Sequence, residues 1–459
     1  MAKETFELIE NVINKTADET LQKRDFDFAK FVYEMEQAFS GLGFRDSDDL
    51  VKGGMEDILI IDFHEVGDFI LTTPSIREIR RNFPFSTITL VTNNRVLPLA
   101  ENCPYVNEIF VFDDTYVSRD ILDYINICAD FARKNLWKNR YRLGFYLSTE
   151  PNFFHQLLLF MSGAKERVGY VLETKRVYTN DLLPKEKNFS YQLLTRPFVY
   201  PPNVVHEVER NLYLLEAYDL QVKTNYLELW YCASDLFQAK KLLEDFGEGR
   251  NIIAVGIGSS QGEGKYPVKQ YLEAFKKIVK KGASLVILGG DAEKEDAKFL
   301  QDNLPAEFVK NLCELDISWS VTAAVVSRTD MYLGNDTGVM HCAAACKLPV
   351  IVLSREAKDR DHEFDGVSAY YRFFPWQANA MILRPEHPID DCVDWSKQMV
   401  TSSCNHSNLP HCIAQIKPEE IVATYDKLVD FMKIIKEVKP MPVIRTIDQV
   451  PNLYSDQNL

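Results

Sequence analysis

Short aliphatic runs recur along most of this chain, and the polar residues between them follow a different period. From Asp57 the runs are DILIID, TITLVT and EIFVFD, joined by stretches whose apolar residues fall three and four apart. Near-continuous apolar strands alternating with helices predict a parallel sheet covered on both faces. The first such helix is predicted from about Asp68 to Asn82, and a shorter one near Leu97. The alternation continues, less sharply, through RLGFYLS and RVGYVL to HEVERNLYLLEAYDL. After a polar helix in YCASDLFQAKKLLEDFGEGR a second series begins: NIIAVGIGSS, a helix over 268–281, ASLVILGG, a helix from Glu293, DMYLGND, a further helix and LPVIVLS. Two α/β halves result, with the boundary near Val222 to Glu228.

The flanks read differently. Phe6, Ile9, Val12 and Ile13, then Phe28, Phe31, Val32, Met35 and Phe39, keep helical spacing and close on Gly41-Leu42-Gly43. They predict two or three amphipathic helices packed on the main body or on a second subunit. At the other end, KPEEIVATYDKLVDFMKIIKEV carries proline and acids early and lysines late, a well-formed closing helix. The tail from Pro440 reads as extended and weakly ordered. The expected division is a helical extension over 1–54, α/β domains over 55–225 and 226–415, and a closing helix and tail over 416–459.

Composition narrows the function. At 459 residues and 46% hydrophobic, the chain is long enough for two cores. A net charge of −15 excludes a nucleic-acid binder, since phosphate backbones are held by clustered cations. Nine cysteines, scattered and odd in number, suit a reducing compartment and set the cytoplasm as the expectation. The charged opening Met1 to Glu7 is no signal peptide, and nothing approaches the roughly eighteen apolar residues of a membrane span. Any membrane contact would therefore be peripheral, at the inner face.

In open parallel sheets ligands collect beyond the carboxyl ends of the strands. Four strand ends carry unusual residues. Gly67-Asp68 opens the first helix; the carboxylate suits a general base, although an N-cap is the simpler reading of an isolated Gly-Asp. Ser259 leads through a glycine-bearing loop to Lys265, a set of hydroxyl, amides and ammonium suited to phosphate. Gly289 and Gly290 permit close backbone approach, and Glu293 suits ribose hydroxyls or a plain helix start. Asp336, Thr337 and Gly338 open a helix expected to present free amides to an anion, with His341 one turn on and three alanines behind. Cys392, Cys404, His406, His411 and Cys412 are zinc-ligand types, but without a CxxC pair they read more simply as free side chains. No nucleophilic triad is evident.

Taken in order, these stretches resemble the heptosyltransferase-type family of glycosyltransferases, family 9, the lipopolysaccharide core enzymes with a GT-B fold. The resemblance rests on Gly67-Asp68 with Leu71-Thr72-Thr73-Pro74, Pro104-Tyr105-Val106 through Asp113, Gly163 to Tyr170, Lys265-Tyr266-Pro267, Leu288-Gly289-Gly290, and Gly334 to Ala345. It covers about residues 56 to 430. It implies two Rossmann-like domains facing a cleft and metal-independent transfer with inversion. The donor would be a nucleotide-diphosphate sugar, with ADP-linked heptoses among the candidates, and the acceptor a glycan or glycolipid such as lipopolysaccharide. No cofactor is implied. Asp68 would be the base and Lys265 the diphosphate cation. Ser259, Gly290, Glu293, Thr337 and Gly338 would line the donor, Asp336 would bind sugar hydroxyls, and His341 would lie near it. Gly67 and His64 would face the acceptor, and the closing helix would cross back onto the first domain. Asp62-Phe63-His64-Glu65 stands where the family usually has an Arg-Leu-Ser-Ser-like segment, which leaves the acceptor open. The N-terminal helices have no family counterpart and offer a surface for a homo-oligomer. The other readings are a noncatalytic scaffold, a protein-directed transferase and a sugar-nucleotide epimerase.

Overall fold

The computed structural model describes residues 6–23, 26–44, 56–115, 120–171, 190–247, 249–259, 264–358, 369–389 and 412–438. The extension forms α1 (Glu7–Lys23) and α2 (Phe28–Gly41). The first sheet contains β1 (Asp57–Ile61), β2 (Thr87–Thr92), β3 (Glu108–Val111), β4 (Leu143–Tyr146), β5 (Glu166–Tyr170) and β6 (Arg196–Phe198). Its helices are α3 (Val66–Asn82), α4 (Leu97–Ala100), α5 (Ile121–Asn135), α6 (Phe153–Met161), α7 (Ser190–Leu193) and α8 (Glu207–Ala217). After α9 (Ala233–Leu243), the second sheet contains β7 (Asn251–Gly256), β8 (Ala283–Leu288), β9 (Val309–Asn311), β10 (Met331–Asn335), β11 (Val350–Leu353) and β12 (Ala380–Leu383). Its helices are α10 (Val268–Val279), α11 (Lys294–Asn303), α12 (Trp319–Val326), α13 (Gly338–Ala345), α14 (Ala369–Phe373) and α15 (Pro418–Val438).

Both sheets are parallel, in the orders β3-β2-β1-β4-β5-β6 and β12-β11-β10-β7-β8-β9. The chain therefore builds the same doubly wound layout twice, as the alternation of strands and helices predicts. In each sheet the winding direction reverses between its first and fourth strands, at β1/β4 and at β7/β10. Such a reversal leaves a crevice beyond the strand carboxyl ends. Burial follows the strand period of two: Leu59 and Ile61 of β1 face an outer core, whereas Ile58 and Ile60 face a core running between the sheets. That central core joins α3 and α8 of the first domain to α12 and α13 of the second.

Helix α3 tolerates an internal proline for a reason visible in LTTP. Pro74 has no N–H for the Ile70 carbonyl, and the Thr73 hydroxyl donates to that oxygen instead at 2.7 Å. Thr72 turns its hydroxyl toward buried Asp62, 2.7 Å away.

The N-terminal helices lie on the outer face of the first domain. Phe28 meets Phe153 at 5.6 Å between ring centroids and Phe39 meets Phe160 edge-on at 6.0 Å. Buried Arg167 reaches Glu36 at 2.6 Å. At Gly163, φ is +79° and a Cβ would lie 2.4 Å from the Phe44 ring, so this turn requires glycine. The apolar faces of α1 and α2 are thus used against the chain's own body. Phe39→Leu, which keeps the apolar character but loses the ring contacts, is expected to cost about 1 kcal/mol in urea unfolding.

The closing helix departs from expectation. Ile421, Tyr425 and Leu428 of α15 join the outer core of the second domain, and Glu419 pairs with Lys277 of α10 at 2.6 Å. Its described side chains therefore lie on the second sheet, because its apolar stripe matches that of α10. No described helix is long and apolar enough to cross a membrane.

Candidate active site

The site forms where the two crevices meet. A Cβ at Gly67 would lie 2.9 Å from His341 Cδ2 and 3.4 Å from the Gly338 Cα, and one at Gly338 would lie 3.5 Å from the Gly67 N. The N-termini of α3 and α13, one from each domain, are therefore in contact, and two glycines permit it. Neither helix carries a side-chain cap. Glu65, the N-cap residue of α3, makes no cap bond and pairs with Arg95 at 2.9 Å. Thr337, the N-cap residue of α13, directs its hydroxyl toward Tyr332, 3.4 Å away. Neither Asp336 nor Thr337 caps α13 with its side chain. Two uncapped N-termini converge, and each contributes partial positive charge.

Next to them stand Asp68 and Asp336. Among the described residues neither carboxylate has a hydrogen-bond or ion-pair partner. Asp68 is half-buried. Burial raises its pKa, His64 and Arg372 oppose the rise, Glu207 and Glu150 add to it, and the carboxyl settles at about 6. Asp336 touches solvent in the cleft although protein surrounds it more distantly. That surrounding protein and then the Asp68 charge push it up to about 7, a shift that cleft water moderates. His341 is buried, its Nδ1 has no partner among the described residues, and burial followed by nearby His206 holds it down to about 3. A neutral ring with an unsatisfied nitrogen therefore lies beside Gly67.

The second group lies at the ends of β7 and β8. The Glu293 Oε2 accepts from the Gly290 N–H at 3.0 Å, and its carboxylate fills the space beside Gly258, where a Cβ would lie 2.9 Å from its Cδ. Lys265 Nζ lies 3.2 Å from Glu293 Oε1 and 3.6 Å from Asp296, and donates to the Ala292 carbonyl at 3.1 Å. The sequence reading assigned Lys265 to a diphosphate and Glu293 to a ribose; the structure pairs them with each other. Ser259 Oγ lies 2.5 Å from where a Gly264 Cβ would stand. Asn335 ties this group to the first. Its Nδ2 donates to the Ile257 and Gly258 carbonyls at 2.8 and 3.0 Å, and its Oδ1 accepts from Tyr271 at 2.8 Å.

Sequence reading missed the charge network behind Asp68. Arg372 of α14 donates to Glu207 at 2.7 Å and to Glu150 at 3.0 Å, crossing from the second domain to the first. Thr149 donates to the other Glu207 oxygen at 2.6 Å, and Arg210 lies at 3.2 Å. Burial would raise Glu207, but Arg372, Arg210 and Thr149 outweigh it and hold the carboxyl low. Glu207 and Arg372 are 165 positions apart, so no local pattern connects them. Cys392, Cys404, His406 and His411 fall outside the described residues. Among those described, no three His, Cys, Asp or Glu side chains cluster to hold a metal, and Cys412 is buried.

Comparison with known proteins agrees with this fold. The family profile described as "Glycosyltransferase family 9 (heptosyltransferase)" matches residues 183–399. Lipooligosaccharide heptosyltransferase 2 of Haemophilus influenzae is 23% identical over 310 residues, covering 65% of this chain and 82% of the relative. Among solved structures, a family 9 glycosyl transferase from Veillonella parvula superposes with a TM-score of 0.63 at 19% identity, over 83% of this chain and 99% of that one. The ADP-heptose LPS heptosyltransferase II of E. coli superposes with a TM-score of 0.60 at 18% identity, over 82% and 99% of the two chains.

Proposed function

From the premise that the chain is a glycosyltransferase of family 9, the heptosyltransferase-type family, we propose that it transfers a sugar from a nucleotide-diphosphate donor to a hydroxyl of a glycan or glycolipid, with inversion. The observation that carries this reading is the contact between the α3 and α13 N-termini, with the unengaged Asp68 carboxylate beside it. Asp68 takes the proton from the acceptor hydroxyl as that oxygen forms a bond to the anomeric carbon. The bond from that carbon to the diphosphate oxygen breaks on the opposite face, and the leaving group carries away the electron pair. Attack from the face opposite the leaving group inverts the centre. Preorganised donors lower the cost of that developing charge. We assign the role to the amides opening α13, with Lys265 turning from Glu293 toward the phosphate.

Asp336 would hold sugar hydroxyls, and His341 would offer its unpartnered Nδ1 near the donor. Ser259, Gly290 and Glu293 would line the nucleoside side, and Gly67 and His64 the acceptor side. Relatives named for heptose transfer to lipooligosaccharide and lipopolysaccharide make an ADP-heptose the first donor to test and such a core the first acceptor.

Thermal unfolding with a panel of ADP-, UDP-, GDP- and dTDP-linked sugars tests the reading. One donor at about a hundred times its Kd is expected to add about 2.7 kcal/mol of stability. Absence of both stabilisation and hydrolysis with every donor would exclude the function.

A further inference from the structure

Asp62 follows β1 and is completely buried, and both its oxygens are taken. Oδ1 lies 2.8 Å from His64 Nδ1 and accepts the His64 backbone N–H at 3.2 Å, while Oδ2 accepts the Thr72 hydroxyl. A carboxylate so far from water requires a counter-charge. Among the described residues the only cation-forming side chain in contact with it is His64. The pair is therefore an ion pair with its negative end interior and its positive end outward: His64 is 17% exposed and Asp62 is not exposed at all. Nδ1 is committed to Asp62, so the tautomer question closes and the second ring nitrogen, which has no protein partner among the described residues, is free to donate. The His64 carbonyl is pinned by Asn93 Nδ2 at 3.0 Å, which fixes the segment entering α3. Asp68 follows four residues later on the first turn.

We propose that the Asp62–His64 pair is a positioning device for the base, a fixed imidazolium that keeps the Asp68 carboxylate ionised in a site crowded with acids. The proposal rests on the glycosyltransferase reading, in which Asp68 accepts the acceptor proton. The charges that bear on this corner come from every surrounding element. Glu150, Glu207 and Asp336 oppose ionisation of Asp68, while Arg372 and His64 favour it. Glu65 is taken up by Arg95, and the neighbouring rings of His155 and His341 are held neutral by burial. Arg372 is already divided between Glu207 and Glu150 and Arg95 between Glu65 and Asp114, whereas among the described residues His64 has only Asp62 as its ion-pair partner. Burial opposes charge on His64, but Asp62 outweighs it and places the ring at about 9, so it remains protonated across the range in which Asp68 titrates.

The test is the pH profile of kcat/KM for wild type and for His64→Gln, His64→Lys, Asp62→Asn and Thr72→Val, with donor affinity measured by calorimetry on each. Activity falls as pH drops through the Asp68 pKa, so removing the cation raises that limb. His64→Gln and Asp62→Asn are expected to move it up by about one pH unit. His64→Lys is expected to hold it near the wild-type position, and so is Thr72→Val, which removes a hydrogen bond but no charge. Donor binding with an unmoved limb and a rate lowered equally at every pH overturns the proposal, because a purely structural role does that. Failure of wild type to bind any donor removes the glycosyltransferase reading, and the proposal with it.

Discussion

Asp68→Asn is expected to lower turnover by about 10²–10⁴-fold, the usual contribution of a general base, while leaving donor affinity unchanged. The substitution keeps shape and removes only the capacity to take a proton. Asp68 has no hydrogen-bond or ion-pair partner among the described residues, so no structural bond is lost with its charge. The proposed donor half, α13 and the ends of β7 and β8, loses no hydrogen bond through the substitution. The wild-type profile is expected to show an acidic limb near pH 6, where the carboxyl takes up its proton. Acceptor-dependent turnover and donor binding, measured separately, decide the matter. An Asn variant within about tenfold of wild type would remove Asp68 from the role.

Arg372→Met is expected to give the largest loss of stability. It leaves Glu207 almost fully buried with one cation fewer and releases the contact from the second domain to Glu150. Breaking a buried pair typically costs about 3–5 kcal/mol, and the surviving Arg210 contact brings the expectation to about 2–4 kcal/mol. Glu207 is held below its ordinary pKa when folded. The pair therefore stabilises fully above the unfolded value of about 4.3, and the contribution is lost as pH falls through the folded value. The difference between variant and wild type should accordingly be largest near neutral pH and shrink in acid. Urea unfolding at both pH values measures it, and equal midpoints at neutral pH would show that the pair contributes nothing.

The two α/β halves were legible because a strand buried on both faces must be apolar at nearly every position. DILII and ASLVIL announce themselves without a partner. Gly67-Asp68 and Asp336 to His341 stood out for a related reason, since polar and very small residues interrupting such runs need an explanation at the strand end. The role of Asp62 was harder to see. As the last polar residue of DILIID it looks like an ordinary strand stop, and only its complete burial against His64 and Thr72 makes it an ion pair. Lys265 shows the converse. Its type and loop suggested a cation awaiting phosphate, whereas folding brings Glu293 and Asp296 to it.

By itself the sequence determined the local properties: where strands and helices form, and which strand ends break an apolar run with polar and very small residues. These depend on side-chain period, backbone freedom and bonding within a few residues. Tertiary structure alone decided that the α3 and α13 N-termini meet, that Arg372 reaches Glu207 across the domains, and that α15 lies on the second sheet. Those contacts join residues scores to hundreds of positions apart. They are set by how two apolar faces close over a common core, and no short stretch of chain carries that information.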